Sequence, residues 1–318
     1  MTTALSTLLS PAPLARTYFA AQALAGSIWW LGVFAVPFVR TATLGSLDPV
    51  TLAVLDVPLF VVTSALAAVP ARWGRVAALA ATAWTCAVTV FLVGYATLTG
   101  EAGWGVVLMA AAAIVSTGAT CLLWWGRIPT EWALAGPFAF RPARSRRGSA
   151  GHMAVTLAQI VVFWGLFLGL IPLALQALES RWGLSAEFPW AIRVLGGVVL
   201  ILASALGLWS AFAMSVHGDG TPLPASMANR LVVSGPYRFV RNPMAVAGCA
   251  QGAAVGLLMS SWLVVVYAVL GSLLWNYAVR PLEEADLEQR FGDEFLRYRD
   301  AVRCWVPRLQ RYGAPPGT

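Results

Sequence analysis

Residues 190–215 read WAIRVLGGVVLILASALGLWSAFAMS, an apolar run whose only charge is Arg193. As a helix it would extend about 39 Å at 1.5 Å per residue, enough to cross a hydrocarbon core near 30 Å. Working outward, comparable windows fall at about 17–39, 51–70, 75–98, 104–126, 153–177, 242–259 and 262–281. The 318-residue chain is 59% hydrophobic and 11% charged, with a mean hydropathy of +0.73. A soluble core cannot hide that much apolar surface, so the surplus faces lipid. Charges gather in short connecting segments, which avoids the roughly 2.5–3.5 kcal/mol cost of each Arg or Asp at a bilayer centre. The pattern predicts an all-α protein: a polytopic transmembrane helical bundle of about eight spans with a C-terminal cytoplasmic amphipathic helix.

The window at 17–39 is too long for a signal-peptide core and is read as the first span. Arg16, Arg72, Arg75, Arg127, the cluster Arg141, Arg144, Arg146 and Arg147, then Arg230, Arg238 and Arg241 all fall on one side of such a bundle. The opposite loops carry few, such as Arg40, Arg181 and Arg193. By the positive-inside rule both termini and the loop at 215–241 are cytoplasmic. All 21 basic residues are Arg, as in a GC-rich coding sequence, which points to a bacterial cytoplasmic membrane. The cluster at 141–147 is read as charge that sets topology, in contact with membrane lipids, and nucleic acid is not needed to explain it. Cys86, Cys121, Cys249 and Cys304 are scattered, and His152 and His217 have no second ligand at metal spacing, so neither disulfides nor a metal site are expected.

The polar stretch from Arg127 to His152 divides the chain. It leaves a four-span membrane region at 1–150 without an assigned role and a four-span core at 151–318 that carries a cytoplasmic loop and the C-terminal helix.

That loop holds the chemistry-bearing residues. It runs His217-Gly-Asp-Gly-Thr-Pro-Leu-Pro224, then Arg230-Leu-Val-Val-Ser-Gly-Pro-Tyr-Arg-Phe-Val-Arg-Asn-Pro-Met244. Gly235 and Pro236 set a turn, Tyr237 offers a ring and a hydroxyl, and Arg241, Asn242, Pro243 and Met244 stand at a helix start, where free N–H groups suit an anion. Gly248, Gly252 and Gly256 form a small-residue stripe along the next span, and Gln251 beside it is expected to face protein. Only Ser260 and Ser261 separate that span from the next, so a tight hairpin is predicted. Arg280, Glu283 and Glu284 follow, then Leu287, Phe291, Phe295, Tyr298 and Val302 at helical spacing, a pattern read as a helix lying along the membrane face.

Gly235-Pro236-Tyr237, Arg241-Asn242-Pro243, Arg280, Glu283-Glu284, Phe291-Gly292-Asp293-Glu294-Phe295 with Tyr298, and Trp305-Val306-Pro307-Arg308 together resemble the isoprenylcysteine carboxyl methyltransferase and phospholipid methyltransferase superfamily, in its bacterial membrane branch. The resemblance covers about 95 residues, Gly218 to Arg308. It departs at Asn242, where eukaryotic members have His, and at Ala245, where many have Tyr.

The resemblance implies an S-adenosylmethionine site made by Gly235, Pro236, Tyr237, Arg241, Asn242, Pro243, Met244, Glu283 and Glu284, with a lipid-like acceptor entering between helices. It also implies catalytic roles for Arg280, Glu283 and Glu284, and carboxylate O-methylation is the favoured reaction. A carboxylate acceptor needs only a cation such as Arg280 or Arg241 to orient it, whereas an amine or hydroxyl needs a base. Sterol and enone reductases that use NADPH share part of the pattern, but they continue with Asn-Tyr where this chain has Met244-Ala245-Val246. A transporter would show broken or repeated spans, and none is visible.

Overall fold

The computed structural model describes residues 11–131, 149–218 and 229–313. Among them there is no β-strand. The Arg141–Arg147 cluster, the side chain of His152 and the residues from Asp219 to Pro224 lie outside the described residues. The chain forms two compact units, residues 1–129 with 178–184, and residues 130–177 with 185–318.

In the first unit, α1 is Pro11–Ala35, α2 the short Pro37–Leu44, α3 Pro49–Ala67, α4 Arg72–Thr99 and α5 Gly103–Trp125. Proline opens α2 and α3, where a missing N–H costs nothing, and the Asp48 side chain caps α3 by accepting from Thr51 N at 2.8 Å. Within α3, residues Val57–Val62 form a π-helical turn around Pro58, which cannot supply its own hydrogen bond. α4 and α5 end on Gly100 and Gly126 in the left-handed conformation. The helices meet along a seam of small residues, Ala15, Ala67, Ala77, Ala78, Ala81 and Ala119, closed by Phe19 and Leu123. In lipid no hydrophobic force gathers helices, so close approach through small side chains supplies the cohesion.

In the second unit, α6 runs from Ser149 to Arg181 through a π-helical stretch at Gly165–Leu170, its last residues, Leu178–Arg181, belonging to the first unit. α7 is Trp190–His217, α8 Pro243–Leu258, α9 Trp262–Leu274, and α10 Arg280–Ala301. α7 packs closely on α8, where a Cβ added to Gly196 would lie 2.9 Å from Leu257 Cβ and 3.0 Å from Ala254 O. α8 and α9 form the expected hairpin: Ser261 caps α9 by accepting from Val264 N at 3.2 Å, while its own N–H donates to Gly256 O at 2.9 Å. Gln251 is buried and donates to Ser204 Oγ of α7 at 3.0 Å.

Among the described residues seven helices are long and apolar enough to cross a membrane, and α8 is a further apolar helix of 16 residues. At about 24 Å α8 is shorter than the core it would cross, so the count of eight is approximate. Lipid-facing positions such as Leu31, Val90 and Ile201 are exposed, as a membrane protein requires.

Two features add to the sequence reading. α9 does not stop before the amphipathic helix but passes into α10 through the π-helical turn Trp275–Val279. Pro281 has no N–H to donate back into the preceding turn, and the widened turn absorbs that loss without ending the helix. The break comes later, at Gly292 (φ 51°, ψ −129°), a conformation that glycine adopts without strain. The apolar stripe of α10 also finds protein as its partner: Phe295, Tyr298 and Val302 are buried against Leu231, Val233 and Tyr312.

The glycine stripe gives a direct test of hairpin packing. A Cβ at Gly256 would lie 2.7 Å from Val265 Cγ2 and 2.8 Å from Val265 N, whereas one at Gly248 meets nothing within 4 Å. Gly256→Leu is expected to lower thermal stability in detergent by roughly 1–3 kcal/mol through overpacking. Gly248→Ala should leave stability unchanged or slightly raised.

Candidate functional site

The site is assembled where the segment 229–241 meets the start of α8 and both ends of α10. The segment is held at its beginning by Asn229 N and Arg230 N, which donate to Gly218 O at 2.7 and 3.2 Å. It then runs extended, and its side chains alternate: Leu231 and Val233 pack on the α10 cluster, while Val232 packs with Tyr237 and Ala213 of α7. Gly235–Arg238 forms one 3-10 turn, with Gly235 at φ 58°. A side chain at Gly235 would crowd Trp209, whose Nε1 lies 3.2 Å from the position of the missing Cβ. Both conformation and space therefore select glycine there.

After the turn, the C-terminal tail is laced to the segment by its backbone. Arg241 N donates to Arg303 O at 2.9 Å, Arg308 N to Phe239 O at 2.9 Å and Tyr312 N to Arg238 O at 3.1 Å. Tyr298 Oη donates to Tyr237 O at 2.7 Å. Trp305 Nε1 donates to Asn276 Oδ1 at 2.8 Å, and its ring packs edge-on against Trp275.

Arg241 is the hub. Nη1 donates to Arg299 O at 2.9 Å and Val302 O at 3.0 Å, and Nη2 donates to Glu284 Oε1 at 2.7 Å. Asn242 caps α8, its Oδ1 accepting from Ala245 N at 3.0 Å, and its Nδ2 donates to Glu283 Oε2 at 3.4 Å. The acidic group beside this helix start is thus the protein's own Glu283. Arg280 sits 3.8 Å from Glu284 Oε1, with its Nε donating to Asn276 O at 3.4 Å.

The adjacent carboxylates therefore diverge, as neighbours about 100° apart on a helix must. Glu284 is shared by two guanidinium groups. Glu283 keeps some accessible surface but sits deep among protein atoms, and its carboxyl is pushed up to about 7. Burial is the main cause, Glu284 and Asp286 add to it, and Arg241 opposes it. Tyr237 is 5% exposed, and burial, with Tyr298 and Glu283 adding, holds its hydroxyl well above the usual range, so it stays a donor. Two buried oxygens here, Tyr237 Oη and Ser234 Oγ, have no hydrogen-bond partner. Unpartnered buried polar atoms are costly unless something else meets them.

Next to this polar face lies a cavity of about 290 Å³ between α6, α8 and α9. Ala245, Gly248, Gly252 and Gly271 leave it room, Phe163, Phe167 and Trp275 wall it, and Cys249 and Ser272 line it. Ala245 belongs both to this wall and to the Asn242 cap, so the cavity opens one helical turn from the polar face.

The structure brings Gly235, Pro236, Tyr237, Arg241, Asn242, Pro243, Met244, Arg280, Glu283 and Glu284 into one region, Arg241 and Glu284 being engaged with each other. Trp305, which closes the sequence motif, belongs to the same region, as do Ser234, Trp209 and Asn276, which carried no signal of their own in sequence. His217 Nδ1 is 3.2 Å from Ala213 O, a local contact within α7.

Residues 191–294, about a third of the chain, match the sequence model of the phospholipid methyltransferase family, and the match encloses α7, the 229–241 segment, α8, α9 and most of α10. No curated protein and no solved structure matches the chain.

Arg241→Ala should release the C-terminal segment while leaving the spans in place. The expected result is a fall in stability of at least the roughly 1.5–3 kcal/mol of one hydrogen bond to a charged group. Limited proteolysis should cut near residues 303–313 faster than in the parent protein.

Proposed function

We propose, from the phospholipid methyltransferase match over residues 191–294 and the site it encloses, that this chain is an integral membrane methyltransferase that uses S-adenosylmethionine to methylate a lipid-like acceptor. The observation that carries the reading is the pair of unpartnered buried oxygens, Ser234 Oγ and Tyr237 Oη, beside the near-neutral carboxyl of Glu283. The methyl donor carries a carboxylate, an ammonium and ribose hydroxyls, and a hydroxyl pair plus a carboxylate is a matching set of donors and acceptors. The residues fit the group.

In this reading Tyr237 and Ser234 hold the donor, Gly235 lets it approach the backbone, and Pro236, Pro243 and Met244 line its face. Asn242 and Arg241 act mainly by positioning, Asn242 toward Glu283 and Arg241 through Glu284 and the end of α10. When bound, S-adenosylmethionine supplies an electrophilic methyl on sulfonium. The protein supplies alignment and exclusion of water, which dominate an in-line displacement. The acceptor's apolar body occupies the cavity between α6, α8 and α9, with its reacting end near Ala245.

Carboxylate O-methylation asks only that Arg280 orient the acceptor. A second reading, an amine or hydroxyl acceptor, is favoured by Glu283, since a carboxyl near 7 is suited to take a proton at neutral pH. Ionised Glu283 is the competent base, so turnover of such an acceptor rises with pH through about 7. Glu283→Gln is expected to remove that limb and lower turnover at least tenfold, about 1.4 kcal/mol. Glu284→Gln should instead lower thermal stability with a smaller change in turnover. Two equally mild effects on turnover would overturn the base role. Tyr237→Phe should weaken binding of S-adenosylhomocysteine, measured calorimetrically, by roughly 1–3 kcal/mol with the fold intact; unchanged affinity would remove the segment as the cofactor site.

We also propose, from the Arg distribution, that both termini and this site lie on the cytoplasmic side of a bacterial membrane. A cysteine introduced at Ser185 should then label from outside intact cells and one at Gly313 should not. Labelling of both from outside would overturn the orientation.

A further inference from the structure

The first unit holds a cavity of about 750 Å³ that methyl transfer does not use, within the 300–1,000 Å³ range typical of small-molecule sites. Trp29, Trp30, Phe60, Trp84 and Phe91 supply much of its wall. Thr43 interrupts that wall with a satisfied hydroxyl, accepting from Trp29 Nε1 at 3.2 Å and donating to Val39 O at 2.7 Å, and two further polar places differ in kind.

At the first, Gln22 is satisfied within the protein. Its Oε1 accepts from Tyr18 Oη and from Ser116 Oγ (2.8 Å), and its Nε2 donates to Ser64 Oγ at 3.0 Å. At the second, Asp56 of α3 receives Trp30 Nε1 on Oδ2 at 2.9 Å and Trp84 Nε1 on Oδ1 at 2.7 Å. Both carboxyl oxygens act as acceptors, as in the ionised form, whereas a protonated acid would carry an O–H in need of an acceptor. Among the described residues no cation pairs with Asp56. A carboxylate at membrane depth with neutral donors alone is expensive. What the site lacks is a positive charge, and indole faces attract one.

We propose that this cavity binds an organic ammonium carried on an apolar body, with Asp56 as its counter-ion and Trp30 and Trp84 fixing the carboxylate. The ammonium meets the carboxylate and the indole faces, and the apolar body fills the remainder of the wall toward Ala87, Leu108 and Val115. The site shares no residue with the methyl-transfer site and stands whether or not that reading does.

The test uses the purified full-length protein in dodecyl maltoside micelles. Equilibrium dialysis with radiolabelled octylammonium, octanol and octanoate compares one chain length with cationic, neutral and anionic heads. Expected is saturable binding of octylammonium, one per chain and at least tenfold tighter than octanol, with no saturable binding of octanoate. Asp56→Asn, checked for monodispersity by gel filtration, should lose the tenfold preference while keeping octanol binding. Ala87→Phe, which fills the wall without touching Asp56, should weaken octylammonium and octanol alike. Equal affinity of the parent protein for octylammonium and octanol would overturn the proposal whatever the variants do. So would octylammonium binding that survives Ala87→Phe unchanged, or a preference retained in folded Asp56→Asn, which would mean that Asp56 is a neutral structural group.

Discussion

One guanidinium holds the second unit's polar face together. The last carbonyls of an α-helix have no intrahelical partner and carry the negative end of its dipole. Arg241 meets one of these carbonyls, Arg299 O in the last turn of α10, together with Val302 O just past its end, and with its other nitrogen holds Glu284 near the start of the same helix. A helix kinked at Gly292 is thereby fixed at both ends by one side chain. Arg241 also immediately precedes the Asn242 cap, so the clamp on α10 sets where α8 begins and brings Asn242 Nδ2 to Glu283. The deep setting of Glu283, and with it the rise of its carboxyl to about 7, follows from that arrangement and from the charges of Glu284 and Asp286 beside it.

The membrane imposes the other constraint. Lipid tails are as apolar as the side chains, so helices associate where shape allows rather than where hydrophobicity drives them. The alanine seam in the first unit and the contacts of Gly196, Gly252 and Gly256 in the second are the same solution reached with different residues. Where the stripe continues to Gly248 with no helix against it, the space becomes a cavity. One sequence feature thus yields packing at one end and an open cavity at the other.

Much of this was legible before the structure. Apolar windows locate the spans because burial in lipid leaves no choice of composition, and Ser260-Ser261 leaves no room for anything but a turn. Burial of Gln251 was legible for the same reason. Less visible was the use of Arg241: a helix carbonyl and a ligand carboxylate ask for the same donor, and only the tail's return decides between them. The partner of the α10 stripe was hidden for a related cause. An amphipathic stripe states that it needs an apolar partner, not which one, and the partner here is the alternating Leu231 and Val233 together with Tyr312. Ser234 looked like any loop serine. Asp56 did carry a signal, as a lone acid inside the window 51–70, but its indole partners lie 26 and 28 residues away in other helices, beyond any local pattern.

Asp56 and Glu283 illustrate how a low-dielectric setting turns a shared functional group to different ends. A buried carboxyl can shed its charge, borrow an opposite one or be wrapped in donors, and the neighbours decide which. Around Glu283 the neighbours include two further acids, an opposing guanidinium that is already engaged with Glu284, and a distant amide donor at 3.4 Å. Protonation is therefore the easier escape, and the group is left able to exchange a proton near neutral pH. Around Asp56 no other acid adds to the field, and a short indole hydrogen bond occupies each oxygen. Those bonds favour the ionised form and stop short of neutralising it. The first setting makes a carboxyl that can move a proton, and in the second the indole bonds support a charge that burial opposes, a balance that an incoming cation would tip toward the ionised form.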